Sequence, residues 1–304
     1  MIEAILVGAV RGGTSMVFAA VGETVTERSG VINLGVEGSM LCGALAAYAV
    51  GIETGSPWLG AVAGLIAGLV LSLIHAFMVL TRKANQIATG LAVTFLGLGA
   101  TSLYGQSYVS QGVVPFPAYA IPGLSELPFL GPILFDHDPL TYLSFAIAPA
   151  AWWFLHRTGT GLRIRAAGER PDVLSTMGTS PARVRWIAIA MGGGLAGLGG
   201  AQLATAFART WSEDMVAGRG FIAVALVIFA GWNPIATVAG AYLFSGAVAF
   251  QLELQARGSG VSIFLLDAIP YLAVLVVLAV LSGRRRHAAP ESLDKVFDIG
   301  GVPA

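Results

Sequence analysis

The chain has 304 residues with 17 Lys and Arg against 17 Asp and Glu; 11% of it is charged and 56% is apolar. A soluble domain carries about 25% charged residues, so this chain lacks the polar cover of a water-facing surface and reads as an integral membrane protein. The balanced charge excludes a nucleic-acid binder working through a basic face, and the single Cys42, set in an apolar run, excludes a disulfide scaffold.

A helix needs about 20 apolar residues to cross about 30 Å of hydrocarbon. Applied along the chain, this predicts crossings at 2–21, 36–51, 57–80, 86–104, 139–155, 184–207, 219–232, 235–251 and 263–282. The first segment is expected to stay in the mature protein. Met1 to Val10 has no basic region, Glu3 precedes the apolar stretch and Arg11 interrupts it.

Between the first two crossings, Gly22 to Gly38 carries Glu23, Glu27, Arg28 and Glu37. A charged residue at the bilayer centre costs ~3 kcal/mol on an insertion scale. The stretch therefore belongs at an interface, or inside protein or a water-filled cavity. Its glycines at 22, 30, 35 and 38 suit a broken helix or re-entrant loop, a device that recurs in transporters. An ordinary cytoplasmic loop is the alternative. The three carboxylates read as a structural cluster, with Arg28 or Arg11 as partners.

The third crossing repeats Gly60, Gly64 and Gly68, and the sixth carries Gly192 to Gly194, Gly197, Gly199 and Gly200. Such faces let helix backbones approach closely, and smooth faces also suit sliding. His75 in the third crossing reads as a packed polar contact, with a transport role as the alternative. The charge-free run from Gln86 divides into a helix to about Tyr104 and a Pro- and Gly-rich loop ending in Asp136-His137-Asp138. A second polar stretch, His156 to Arg185, is predicted to hold a short helix over Leu162–Gly168 and another starting at Pro171. The run from Gly220 to Leu252 splits at Gly231-Trp232-Asn233-Pro234, a turn signal. Asp267 stands alone in the last crossing and reads as a pair with Arg257, or as an ion site.

Alternating these crossings puts Arg82, Lys83, Arg157, Arg163, Arg165, Arg170, Arg183, Arg185, Arg284, Arg285, Arg286 and Lys295 on one side, 12 of the 17 basic residues. The positive-inside rule makes that side cytoplasmic. The expected fold is all-α: a polytopic transmembrane helical bundle of eight or nine segments, some broken or re-entrant. A membrane domain spans 1–283, with its cytoplasmic loop at 156–185, and a cytoplasmic tail spans 284–304. No alternating strand pattern recurs, which argues against a β-barrel.

Catalytic patterns are missing. The only lysines, Lys83 and Lys295, do not follow glycine, so there is no phosphate-binding G-x-x-x-x-G-K-[ST] loop. H-E-x-x-H, C-x-x-C and G-x-S-x-G are absent, and His75, His137, His156 and His287 are scattered. Transport is favoured over bond-breaking chemistry. No catalytic, metal or cofactor-binding residue is assigned.

Glu23-Thr24-Val25-Thr26-Glu27-Arg28-Ser29-Gly30-Val31-Ile32-Asn33-Leu34-Gly35-Val36-Glu37-Gly38 resembles the signature of permease subunits of nucleoside-type ABC importers. These belong to the group that includes branched-chain amino acid and ribose permeases. Gly161-Leu162-Arg163-Ile164-Arg165-Ala166-Ala167-Gly168-Glu169 resembles that group's coupling-helix region. The hydrophobic pattern matches over nearly the whole chain. The first motif points to the nucleoside branch; the second is shared across the group. Sugar permeases carry a Gly-Ile-Asp-Leu-Ser-like stretch where this chain has Gly-Val-Ile-Asn-Leu-Gly.

The resemblance implies a heterodimer with a second related permease in the bacterial cytoplasmic membrane. It implies a separate cytoplasmic ABC ATPase that uses the ATP, and an extracytoplasmic lipoprotein that delivers nucleoside. It assigns ATPase coupling to Gly161, Arg163, Arg165, Ala166, Gly168, Glu169 and Pro171. A nucleoside is uncharged, so its path needs weakly polar lining, for which Asn33, Gln86, Thr89 and Thr94 are candidates. The same four also suit helix–helix hydrogen bonds. The alternatives are the same machine carrying branched-chain amino acids or sugars, an ion-coupled secondary transporter, and a membrane enzyme.

Overall fold

The computed structural model describes residues 1–258, 260–282 and 289–293. Arg284, Arg285, Arg286, Lys295 and most of the expected tail lie outside the described residues. The elements run α1 (Ile2–Arg28), α2 (Val36–Thr54), α3 (Pro57–Ala76) and α4 (Gln86–Gly105). Next come β1 (Tyr119–Ala120), α5 (Leu130–Leu134), β2 (Asp136–His137) and α6 (Pro139–Arg157). The rest are α7 (Gly159–Glu169), α8 (Pro171–Thr176), α9 (Pro181–Gln202), α10 (Arg219–Phe229), α11 (Pro234–Ala256) and α12 (Ile263–Ser282). Single π-helical turns extend α3 over Phe77–Thr81 and α9 over Leu203–Phe207.

Helix starts follow one local rule. Ser56, Asp138, Ser180 and Asn233 each precede a proline, and each side chain accepts a backbone N–H of the first turn. Proline has no N–H to satisfy there, and the capping oxygen takes one of the donors that remain. Asn233-Pro234 thus makes the expected turn, and α11 begins on it.

The chain is an α-helical polytopic membrane protein. Six helical spans are long and apolar enough to cross a membrane: 2–28, 36–54, 57–81, 86–108, 181–207 and 234–256. The nine expected crossings are therefore not confirmed. The clearest departure is α10, whose 11 residues span only about 16 Å at 1.5 Å per residue. The only strands among the described residues are β1 and β2, a two-residue antiparallel ladder that pairs Tyr119 with His137 across the outer loop.

At the centre, α1 is buried around its whole circumference from Gly12 to Glu27, and α9 packs against α1, α2 and α3. The glycine faces explain the closeness. A Cβ on Gly68 of α3 would sit 2.6 Å from the Gly197 Cα of α9, and one on Gly22 of α1 would sit 2.7 Å from the Gly192 carbonyl oxygen. With no water inside a bilayer, such close packing supplies what apolar burial supplies in a soluble core. On the outside, Trp58, Val62, Ile66, Val70 and Ile74 form an exposed apolar stripe on α3 at four-residue spacing.

Candidate functional site

The polar stretch Gly22–Gly38 folds differently from expectation. The helix does not break at Gly22; α1 runs on to Arg28, and only 29–35 is irregular. Gly30 takes a left-handed turn (φ 86°), which a residue without a side chain adopts freely. The chain then doubles back inside the bundle. The Asn33 N–H donates to Glu23 Oε1 at 2.8 Å, five residues up α1 from Arg28.

Irregular backbone inside a membrane protein survives only where its polar groups find partners. Here they are supplied by side chains from four directions. The Ile32 N–H donates to Gln86 Oε1 at 2.9 Å, and His75 Nε2 lies 3.1 Å from the Ile32 carbonyl. Thr94 donates to the Leu34 carbonyl at 2.9 Å, and Asn33 Oδ1 accepts from the Gly35 N–H at 2.9 Å. Three of the four expected pathway residues, Asn33, Gln86 and Thr94, thus hold one buried turn. Thr89 differs: it lines a groove between α3 and α4 together with Ile74, Asn85, Ala88 and Val93.

The carboxylates do not pair with Arg28 or Arg11. Besides Glu23 on the turn, the other two grip α10. Glu37 accepts from the Gly218 and Gly220 N–H groups at 2.7 and 2.6 Å, where α10 begins without a side-chain cap of its own. Glu27 Oε2 accepts from Trp232 Nε1 at 2.6 Å, just past the other end. Arg28 donates there too, from Nε to the Trp232 carbonyl at 2.9 Å and from a terminal nitrogen to Gly231 at 3.3 Å. A carboxylate at the N-terminal end of α10 and a guanidinium on the carbonyls past its C-terminal end both suit the helix dipole, while Glu27 is held at that second end by the indole N–H. Arg11 instead donates to the Asp136 carbonyl at 3.2 Å. Asp267 likewise takes Gln251 and Gln255 as donors, while Arg257 pairs with Glu253 at 2.7 Å.

The second polar stretch is exposed. Thr158 caps α7, and Gly161 and Gly168 let it sit tight on its neighbours. A Cβ on Gly161 would lie 2.6 Å from the Leu155 Cα of α6, and one on Gly168 would lie 3.1 Å from the Gly30 nitrogen. Ile164 and Ala167 are buried on the same face. Leu162, Arg163, Glu169 and Arg170 point outward, Arg165 and Ala166 are half-buried, and Pro171 opens α8. Arg165 donates to the Leu155 carbonyl at 2.9 Å. Arg185, from the first turns of α9, donates to the Ser29 carbonyl at 3.0 Å and to the Ala167 carbonyl at 2.8 Å. It ties α7 to the end of α1.

Sequence reasoning missed Trp232, Arg185 and Gln202. Trp232 was legible only as part of a turn, yet a mostly buried indole needs a partner for its N–H. Gln202, buried in α9, donates to the Arg11 carbonyl at 3.2 Å. Among the described residues, no three His, Cys, Asp or Glu gather as a metal site.

The profile of the family described as branched-chain amino acid transport system / permease component matches residues 5–282. The chain is 42% identical to a putative glucose ABC transporter permease protein, TsgC13 of Haloferax volcanii, over 81% of this chain and 76% of the relative. It is 35% identical to the guanosine ABC transporter permease protein NupQ of Bacillus subtilis, over 88% and 89%. It is 30% identical to the nucleoside ABC transporter permease protein NupC of Lactococcus lactis, over 89% and 90%. No solved structure matches the chain.

Proposed function

The chain belongs to the branched-chain amino acid transport permease family of ABC transporters, and on that premise we propose that it carries nucleosides inward as one half of an ATP-driven importer. It is a multi-pass subunit of the plasma membrane. The ATP is used by a separate ABC ATPase on the cytoplasmic face. A second related permease completes the channel, and an extracytoplasmic binding protein delivers the cargo.

The observation that carries the coupling half of this reading is the double character of α7. Its inner face is locked through Gly168 and Arg185 onto the end of α1, while Leu162, Arg163 and Glu169 face outward. A partner that pushes on the outer face moves the α1 end with it. ATP-driven closure of the ATPase then shifts a two-state equilibrium between inward and outward openings. We assign Arg163, Arg165, Ala166, Glu169 and Pro171 to that surface, with Gly161 and Gly168 as its packed underside.

The relatives named for guanosine and nucleosides match over 88% and 89% of the chain, against 81% and 83% for two named for glucose, and the Gly-Val-Ile-Asn-Leu-Gly turn fits the nucleoside branch. Glucose is the second reading, because a relative named as a putative glucose permease has the higher identity, 42%. Thr89, the member of the sequence set that does not hold the buried turn, lines the α3–α4 groove and stays the candidate for meeting an uncharged cargo. The test is uptake of radiolabelled guanosine and glucose into proteoliposomes holding the complex, with ATP inside and binding protein outside. ATP-dependent guanosine uptake is expected. Glucose uptake with no guanosine uptake rejects the cargo and keeps the machine.

A further inference from the structure

Residues 289–293 pack at the end of the bundle where α7 meets α1. Leu293 is fully buried, in the same apolar cluster as Ile32, Val36 and Trp232. Ser292 accepts from Arg185 at 3.0 Å, the same guanidinium that holds Ser29 and Ala167. The fit against the turn is close: a Cβ on Gly30 would fall 2.6 Å from the Ser292 Cβ. At the rim, Arg170 and Glu291 pair at 3.1 Å, and the Glu291 N–H points at Glu169 Oε2 at 3.4 Å.

These contacts differ in weight. The Arg170–Glu291 pair is largely solvent-exposed, so it contributes little to holding the segment. The anchor is Leu293, a large apolar side chain taken out of water on the side of the molecule richest in charge. Leu293 packs against the α1–α2 turn with Ile32 and Val36, while Ser292 beside it meets the Arg185 guanidinium that also holds the Ala167 carbonyl of α7, so the segment bridges the two. A close-packed joint transmits displacement, whereas a gap lets one side move without the other.

We propose that the 289–293 segment is a wedge in the coupling joint, with Leu293 a positioning residue that makes movement of α7 reach the buried turn at 29–35. This rests on the reading of α7 as the surface that meets the ATPase. Removing that side chain then leaves ATP hydrolysis running and loosens its connection to transport.

The test is the ratio of cargo taken up to ATP hydrolysed, in proteoliposomes holding the full complex. Leu293→Asp is expected to lower that ratio at least fivefold while the complex still assembles and hydrolyses ATP. Leu293→Met, which refills the space, is expected to restore it. If Leu293→Asp does not assemble, Leu293→Ala is measured instead and is expected to lower the ratio at least twofold. A wild-type ratio in Leu293→Asp, or in Leu293→Ala where that variant is used, overturns the wedge. Absence of ATP-driven uptake in the wild-type vesicles would instead contradict the permease reading itself.

Discussion

Two stretches of this chain carry charge between apolar segments, and they solve the same difficulty in opposite ways. Gly22–Gly38 is buried: Glu23, Glu27, Asn33 and Glu37 are each at most 2% exposed, and each has a defined partner. His156–Arg185 lies at the surface, where Leu162, Arg163, Glu169 and Met177 face outward. The first stretch uses polarity to fix backbone in place; the second, in the proposed function, offers it to a partner. A change in the first is therefore expected to cost stability, and a change in the second to cost communication.

The contrast is sharpest at Glu37. Replacing it by alanine leaves the Gly218 and Gly220 N–H groups and the start of α10 without an acceptor. Hydrogen bonds to charged groups are worth about 1.5–3 kcal/mol each, so Glu37→Ala is expected to lose roughly 3 kcal/mol or more. Thermal unfolding of the detergent-solubilised chain reads this, and an unchanged Tm would remove the clamp on α10 from the account. Trp232→Phe keeps an aromatic side chain, smaller by the pyrrole ring, and deletes the N–H that Glu27 accepts. A buried acceptor that loses its donor costs about 1–3 kcal/mol, so the loss in the same assay should be smaller than for Glu37→Ala.

Thr94→Val removes one neutral hydrogen bond to the Leu34 carbonyl while keeping the shape. The expected cost is about 1 kcal/mol. Hydrogen exchange at the 29–35 amides should rise before any global change in Tm; protection equal to wild type would mean that Thr94 does not help hold the turn. At the other extreme, Leu162→Glu lies on the outer face of α7. Its stability is expected to stay within about 0.5 kcal/mol of wild type. Co-purification of the ATPase with this variant should fall, and full retention would move the docking surface elsewhere.

Much of the bundle was legible because apolar length and [Ser/Asp/Asn]-Pro starts are local signals. Ser56-Pro57, Asp138-Pro139, Ser180-Pro181 and Asn233-Pro234 each mark a helix that the structure contains. The fate of the carboxylates was not legible. The sequence places Arg28 one residue from Glu27 and suggests a pair, but side chains adjacent on a helix diverge. The partners of Glu27 and Glu37 come from about 200 and 180 positions away along the chain, at separations of 205, 181 and 183. The same non-local closure hid α10. Its apolar run reads as a crossing, while its short length follows from Gly218 and the Gly231-Trp232 turn being held by α1 and α2.

The polar residues Asn33, Gln86 and Thr94 were legible, but not the buried turn that they hold. Gln86 and Thr94 look free in sequence because their partner is backbone, at Ile32 and Leu34, which no side-chain pattern announces. The packing of α7 was more readable. Gly161 and Gly168 sit seven apart, two helical turns, so they mark one packed face and leave Arg163 and Glu169 off it.

The central claim is that the exposed stretch communicates while the buried one holds. Glu169→Arg tests it most directly, because it reverses a charge on the outward rim of α7 beside Arg170 without entering the buried turn. The measurement is nucleoside taken up per ATP hydrolysed by the reconstituted complex. The account predicts an assembled complex that hydrolyses ATP and takes up little cargo; coupled uptake equal to wild type would contradict it.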